Sequence, residues 1–149
     1  MPELPAFPQD PVGLAAFFEE HGRDRLPGLL GIQVVELAPG RAMLRLQIER
    51  KHLASNGYLH AGTIVALADT AAGYGTVASL PPQATGFTTL ELKSNHTGTA
   101  LSGAIVAAAG LTHGGRTTQV WDVTVSSEAT GKDMALFRCT QMILYPGGG

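Results

Sequence analysis

The chain reads as an α+β domain in which one curved antiparallel β-sheet wraps around a single long, central apolar helix. Two observations predict this. Residues 61–78 carry one charged side chain, Asp69, among Ala, Gly, Thr, Ile, Leu, Val and Tyr, and a helix that is apolar all round belongs in a protein interior or a membrane. Around it lie six short runs of strand character, two before and four after, each bounded by turn residues. Strands that follow one another so closely favour antiparallel neighbours.

In chain order, the first eleven residues hold four prolines and form an N-terminal arm, 1–11, ahead of a single domain, 12–149. Over residues 12–25, Leu14, Phe17 and Phe18 recur at helical spacing between charges, which predicts a short amphipathic helix closed by Pro27 and Gly28. The period then changes to two. Residues 32–37 and 42–48 form a hairpin about Pro39-Gly40, with Ala42, Leu44, Leu46 and Ile48 on one face. A polar loop, 51–58, leads to the central helix. That helix nearly matches a bilayer in length, but three glycines and a central carboxylate are costly in lipid, so it is a buried helix. Leu80-Pro81-Pro82 ends it, and strands over 86–95, 102–111, 117–126 and 134–144 complete the sheet. Such a sheet covers one side of the helix, so the N-terminal helix or a second subunit must cover the other.

At 149 residues and 15.5 kDa the chain is one domain. Ten Lys and Arg against twelve Asp and Glu provide no diffuse basic surface, which argues against nucleic acid or an anionic membrane as partner. Any phosphate contact is therefore local. The single Cys139 excludes an intrachain disulfide and reads as a core residue beside Phe137 and Ile143. The N-terminus lacks the pattern of a signal peptide, so a cytoplasmic location is expected. His21, His52, His60, His96 and His113 show no metal-ligand spacing, and neither a metal nor a cofactor is expected. Gly73-Tyr74-Gly75-Thr76-Val77-Ala78 matches a dinucleotide-loop pattern, but it lies late in a helix and carries no weight.

The chemistry centres on Asp69 and the loop before its helix. A carboxylate amid apolar residues either lines a cleft or is embedded and bonded by neighbouring backbone and Thr hydroxyls. Residues 56–62, Asn-Gly-Tyr-Leu-His-Ala-Gly, set a glycine-punctuated turn against a helix N-terminus. Unpaired N–H groups and the positive end of the helix dipole point outward there and would polarise a carbonyl oxygen. Gly62 leaves room for a ligand to approach the backbone. His60 is either a capping residue or part of the site.

The run from Gly57 to Asp69, with His60, Gly62, Leu67 and Asp69 at G-x-x-H-G-G-x-x-x-x-L-x-D/E spacing, resembles the signature of hotdog-fold acyl-CoA thioesterases. The branch is that of the phenylacetate-pathway and 4-hydroxybenzoyl-CoA enzymes. Gly115-Arg116-Thr117-Thr118 is similar to the family's G-R-x-T strand start, and residues 90–95 to its strand after the helix. The resemblance implies hydrolysis of an acyl-CoA to free acid and coenzyme A. In it Asp69 is nucleophile or general base, the Ala61 and Gly62 amides form the oxyanion hole, and His60 orients the turn or the thioester. Arg116, with Thr117 and Thr118, would take a coenzyme A phosphate. From the residues themselves, Tyr58, Tyr74 and Phe87 either line an aromatic acyl pocket or pack in the core and the subunit interface. Two departures stand out: Ala61 replaces the first glycine, and the family's Asn or Gln six residues before the histidine falls on Ala54, a role Ser55 or Asn56 would have to take.

Ala61 and Asp69 lie eight positions apart, about 12 Å along a helix, too far to share one thioester carbon. If both serve the same reaction, the site joins the Asp69 of one subunit to the helix N-terminus of another. A homodimer is required, and the resemblance implies a tetramer built as a dimer of dimers. The alternatives are an acyl-CoA hydratase or dehydratase on the same fold, and a non-catalytic acyl-CoA sensor.

Overall fold

The computed structural model describes residues 6–147 of the chain. It contains α1 (Pro11–Gly22), α2 (Leu26–Leu30), β1 (Ile32–Ala38), β2 (Arg41–Gln47), α3 (Ala61–Ala78), β3 (Gly86–His96), β4 (Ala104–Gly114), β5 (Thr118–Ser127) and β6 (Asp133–Leu144). Part of the expected N-terminal arm, residues 1–5, lies outside the described residues.

All six strands join one antiparallel sheet in the order β1-β2-β4-β5-β6-β3. The β1–β2 hairpin turns at Pro39-Gly40, where Gly40 takes φ +82°, a conformation that suits a residue without Cβ. Strand succession does not predict the order that follows. β2 passes over β3 to pair with β4, and β3 crosses to the far edge beside β6.

The apolar helix spans the predicted residues. Its Leu67, Ala68, Ala71, Ala72 and Gly75 are buried against the inner face of the sheet, with Leu44, Leu46, Ile105, Trp121, Val123 and Val125. Small residues let helix and sheet approach closely. A Cβ on Gly75 would lie 2.6 Å from the Trp121 ring, and one on Gly73 would lie 3.1 Å from Phe87 Cζ. Trp121 is fixed in turn, because its indole N–H donates to Gln119 Oε1 at 2.9 Å and Gln119 Nε2 donates to the Ser79 carbonyl at 2.9 Å.

One helical expectation is corrected. The first helix ends at Gly22, and Pro27 and Gly28 lie within a second short helix, α2. Proline is favoured in a first turn, where its missing N–H has no intrahelical partner to lose. Gly31, at φ +74°, caps α2. The α1–α2 pair covers part of α3, with Phe18 stacked on Tyr74 at 3.9 Å and 3°. The stripe Val65, Ala66, Asp69 and Thr70 stays half-buried.

Candidate active site

The loop before α3 is closed on itself by short-range bonds. Leu53 bridges Leu59, the Ala54 N–H donates to the Tyr58 carbonyl at 2.7 Å, and the Gly57 N–H donates to the Ala54 carbonyl at 2.9 Å. Asn56 Oδ1 accepts from the Tyr58 N–H at 3.2 Å, so this side chain is engaged in shaping the turn. Gly57 at φ +86° completes it.

His60 then acts as the N-cap of α3. Its Nδ1 accepts the Gly62 N–H at 2.7 Å, and its carbonyl accepts the Thr63 N–H at 3.0 Å. An Nδ1 that accepts places the proton of a neutral ring on Nε2. The expectation of two open amides is thereby corrected: Gly62 gives its N–H to His60, and Ala61 keeps an N–H with no acceptor among the described residues. The reason for glycine at 62 is also local. A Cβ there would lie 2.8 Å from His60 Nδ1, so the missing side chain accommodates the capping ring.

Asp69 lies two turns further along, half-buried, with Oδ1 buried and unpartnered. The neighbouring Thr70 and Thr76 hydroxyls donate to the Ala66 and Ala72 carbonyls, at 2.6 and 2.8 Å, and offer the carboxylate nothing. Burial pushes the Asp69 carboxyl above its ordinary range. One turn on, Gly73 meets Phe87 of β3. Burial first, then the charges of Asp69 and Asp122, push the Cys139 thiol up to about 12, which suits an unreactive core cysteine.

Arg116 lies on the exposed turn between β4 and β5, away from this loop in sequence. Its guanidinium sits 5.9 Å from the centre of the Tyr145 ring, and its carbonyl accepts the Tyr145 hydroxyl at 2.5 Å. It forms no ion pair among the described residues. Thr117 is exposed and Thr118 half-buried, while Tyr58 is 55% exposed. Among the described residues, no group of three or more His, Cys, Asp or Glu is placed to hold a metal ion, and no helix is long and apolar enough to cross a membrane.

The sequence profile of the thioesterase superfamily matches residues 56–133, which includes the turn, α3 and the β4–β5 turn with Arg116. The chain belongs to the thioesterase superfamily. Its arrangement of six strands around α3 is the hotdog fold. The thioesterase is 36% identical to a 1,4-dihydroxy-2-naphthoyl-CoA hydrolase of Listeria monocytogenes, over 74% of this chain and 89% of that protein. A mutant thioesterase of Pseudomonas aeruginosa superposes with TM-score 0.81 at 25% identity, covering 87% of this chain and 93% of that one. A mutant phenylacetic acid degradation protein PaaI of Thermus thermophilus superposes with TM-score 0.74 at 30% identity, covering 81% and 100%.

Sequence reasoning missed the groups that hold the thioesterase's turn in place. His52, 1% exposed, and Thr63, 7% exposed, sit beneath it. The spacing Glu49-x-x-His52 is that of a capping box and was a usable signal. Gln119 and Gln141 were also missed, although strand alternation places both on the inner face with Trp121 and Cys139. Gln141 Oε1 and Ser94 Oγ are, like Asp69 Oδ1, buried without a partner.

Proposed function

We propose that this thioesterase hydrolyses an acyl-CoA, water adding to the thioester carbonyl and the carbon–sulfur bond breaking to release a free acid and coenzyme A. The observation that carries this reading is the unpartnered Asp69 carboxylate on an otherwise uncharged helix. Burial without a hydrogen bond costs stability, and nothing among the described residues compensates it, so the group is kept for what it does to a ligand. In this reading Asp69 attacks the carbonyl carbon or takes a proton from water. The open Ala61 N–H, at the positive end of α3, donates to the oxygen as it gains negative charge. His60 holds the turn through the Gly62 N–H and presents its Nε2 toward substrate, and Asn56 keeps the preceding loop closed.

Asp69 and Ala61 of one chain are separated by about 12 Å of helix, so the working site pairs them across two subunits. A homodimer is the minimal active unit, and a dimer of dimers is the proposed assembly. Arg116, with the Thr117 and Thr118 hydroxyls, would hold a coenzyme A phosphate by charge-assisted hydrogen bonds. Exposure without an ion-pair partner leaves its guanidinium available for this. An aromatic acyl group is favoured by the aryl-CoA named for the Listeria relative, with Tyr58 at the substrate side of the turn. Tyr74 and Phe87 are already packed, on Phe18 and against Gly73.

The test is hydrolysis over aryl-, arylacetyl- and aliphatic-CoA thioesters with wild type, Asp69→Ala and Asp69→Asn. Both variants should lose kcat on the order of 10²-fold or more while still binding substrate. Saturable binding without turnover by the wild type would point to a sensor, and hydration of an enoyl-CoA with survival of saturated thioesters to a hydratase. Near-normal turnover by folded Asp69→Asn would remove Asp69 from the mechanism.

A further inference from the structure

We infer that His52 is the positioning residue of the oxyanion turn: its ring fixes its own backbone carbonyl, and that carbonyl clamps the first turn of α3 so that the Ala61 N–H is aimed. The inference rests on the hydrolase reading above. Four hydrogen bonds carry it. The His52 carbonyl accepts from the His60 N–H at 3.0 Å and from the Thr63 hydroxyl at 2.9 Å, thereby gripping the residues on either side of Ala61 and Gly62. The His52 ring is held at both nitrogens. Nδ1 accepts the Glu49 N–H at 2.8 Å, which puts the ring proton on Nε2, and Nε2 donates to the Leu30 carbonyl at 2.8 Å.

No other side chain does both jobs from this position. A residue that only filled space would need neither ring bond, and a loop residue would not be buried to 1%. The ring links the end of α2, through Leu30, to the base of the 53–59 loop. An imidazole spans two fixed backbone groups at opposite ends, whereas an amide side chain of either length reaches one of them. A buried carbonyl that accepts twice is also well satisfied, so the turn has no competing arrangement to relax into. Because the turn is built from backbone groups, a small displacement of the Ala61 N–H moves the donor away from the developing oxyanion, where alignment matters more than in the ground state.

Thr63→Val tests the clamp with the least disturbance, since it keeps shape and burial and removes one donor to the His52 carbonyl. His52→Asn retains an acceptor for the Glu49 N–H and loses the Leu30 bond, and His52→Gln does the reverse. Thr63→Val should lower kcat roughly tenfold or more with KM changed by less than about twofold, and Thr63→Ser should restore it. The His52 variants, where they fold, should show the same split between kcat and KM. Amide NMR of the full chain gives a readout independent of turnover: the Ala61 resonance should shift in Thr63→Val and return in Thr63→Ser. Folded Thr63→Val with wild-type kcat, or with an unmoved Ala61 resonance, overturns the inference and makes His52 a stability residue. If the wild type hydrolyses no thioester, the hydrolase reading fails by itself, and the Ala61 resonance alone upholds or overturns the clamp.

Discussion

A carboxylate that is half-buried and unpartnered has lost hydration without gaining a hydrogen bond, so its charged form is disfavoured in the folded chain. This is the state of Asp69. Between the ordinary carboxylate range, near 3.8, and its raised folded value, the native protein keeps a proton that the unfolded chain has released. Stability therefore falls as pH rises through that window, and stays lowered above it. Asp69→Asn should accordingly melt at a higher temperature than wild type at neutral pH, with the gain shrinking as pH approaches 4, while kcat drops on the order of 10²-fold or more. The acid limb of wild-type kcat/KM should lie above the ordinary carboxylate range. Melting curves and rates measured on the same samples check both signs; a variant that is active and no more stable contradicts the role. At Arg116 the effect should fall on binding. Arg116→Ala should raise KM by an amount equivalent to about 1.5–3 kcal/mol, and a short thioester lacking the nucleotide should be hydrolysed as before. Equal damage on both substrates would mark a structural arginine.

At the level of one element, α3 shows how identical substitutions take different signs. Glycine in a helix interior is disfavoured against alanine by up to about 1 kcal/mol, so Gly→Ala would ordinarily stabilise. At Gly75 the new methyl would meet the Trp121 ring at 2.6 Å, and that ring is pinned by Gln119. Gly75→Ala should therefore destabilise by about 1–3 kcal/mol through overpacking. Gly73→Ala meets only the tip of the half-buried Phe87 ring at 3.1 Å and should cost distinctly less. Thermal unfolding of the two variants side by side gives the order. The G-x-G spacing that imitates a nucleotide loop thus serves helix-to-sheet packing. The helix was legible because Asp69 is the one charge in eighteen residues of otherwise small and apolar character. α2 was not, since five residues including a proline and a glycine show no period.

For the whole molecule, the open side of α3 and the edge strand β3 set the assembly question. Leu90 is 57% exposed and Leu92 is 42% exposed on that edge, and the Asp69 stripe runs along the half-covered side of α3. Exposed apolar side chains beside a sheet edge favour association. The proposed site, with Asp69 and Ala61 from different subunits, would make activity depend on it. The enzyme should sediment as a dimer or larger, and dilution into the dissociating range should abolish turnover in step with dissociation. A fully active species of 15.5 kDa would contradict the two-subunit site.

Local composition alone set the central helix and the positions of all six strands, because periodicity, turn residues and a run of small apolar side chains act over a few neighbouring residues; the His60-to-Asp69 spacing was legible through its resemblance to the family signature. Packing decided the rest. The sheet order depends on which strand edges meet, and β3 pairs with β6 between residues 39 to 58 positions apart, from His96 with Ala135 to Gly86 with Leu144, a choice no local pattern encodes. Gly62 looked open in the sequence, yet its N–H is taken by a ring two residues away, since the rotamer of His60 is chosen only once the turn closes. His52 looked like a loop residue. Its meaning came from the Leu30 carbonyl, 22 positions earlier, which folding alone brings within reach of its ring.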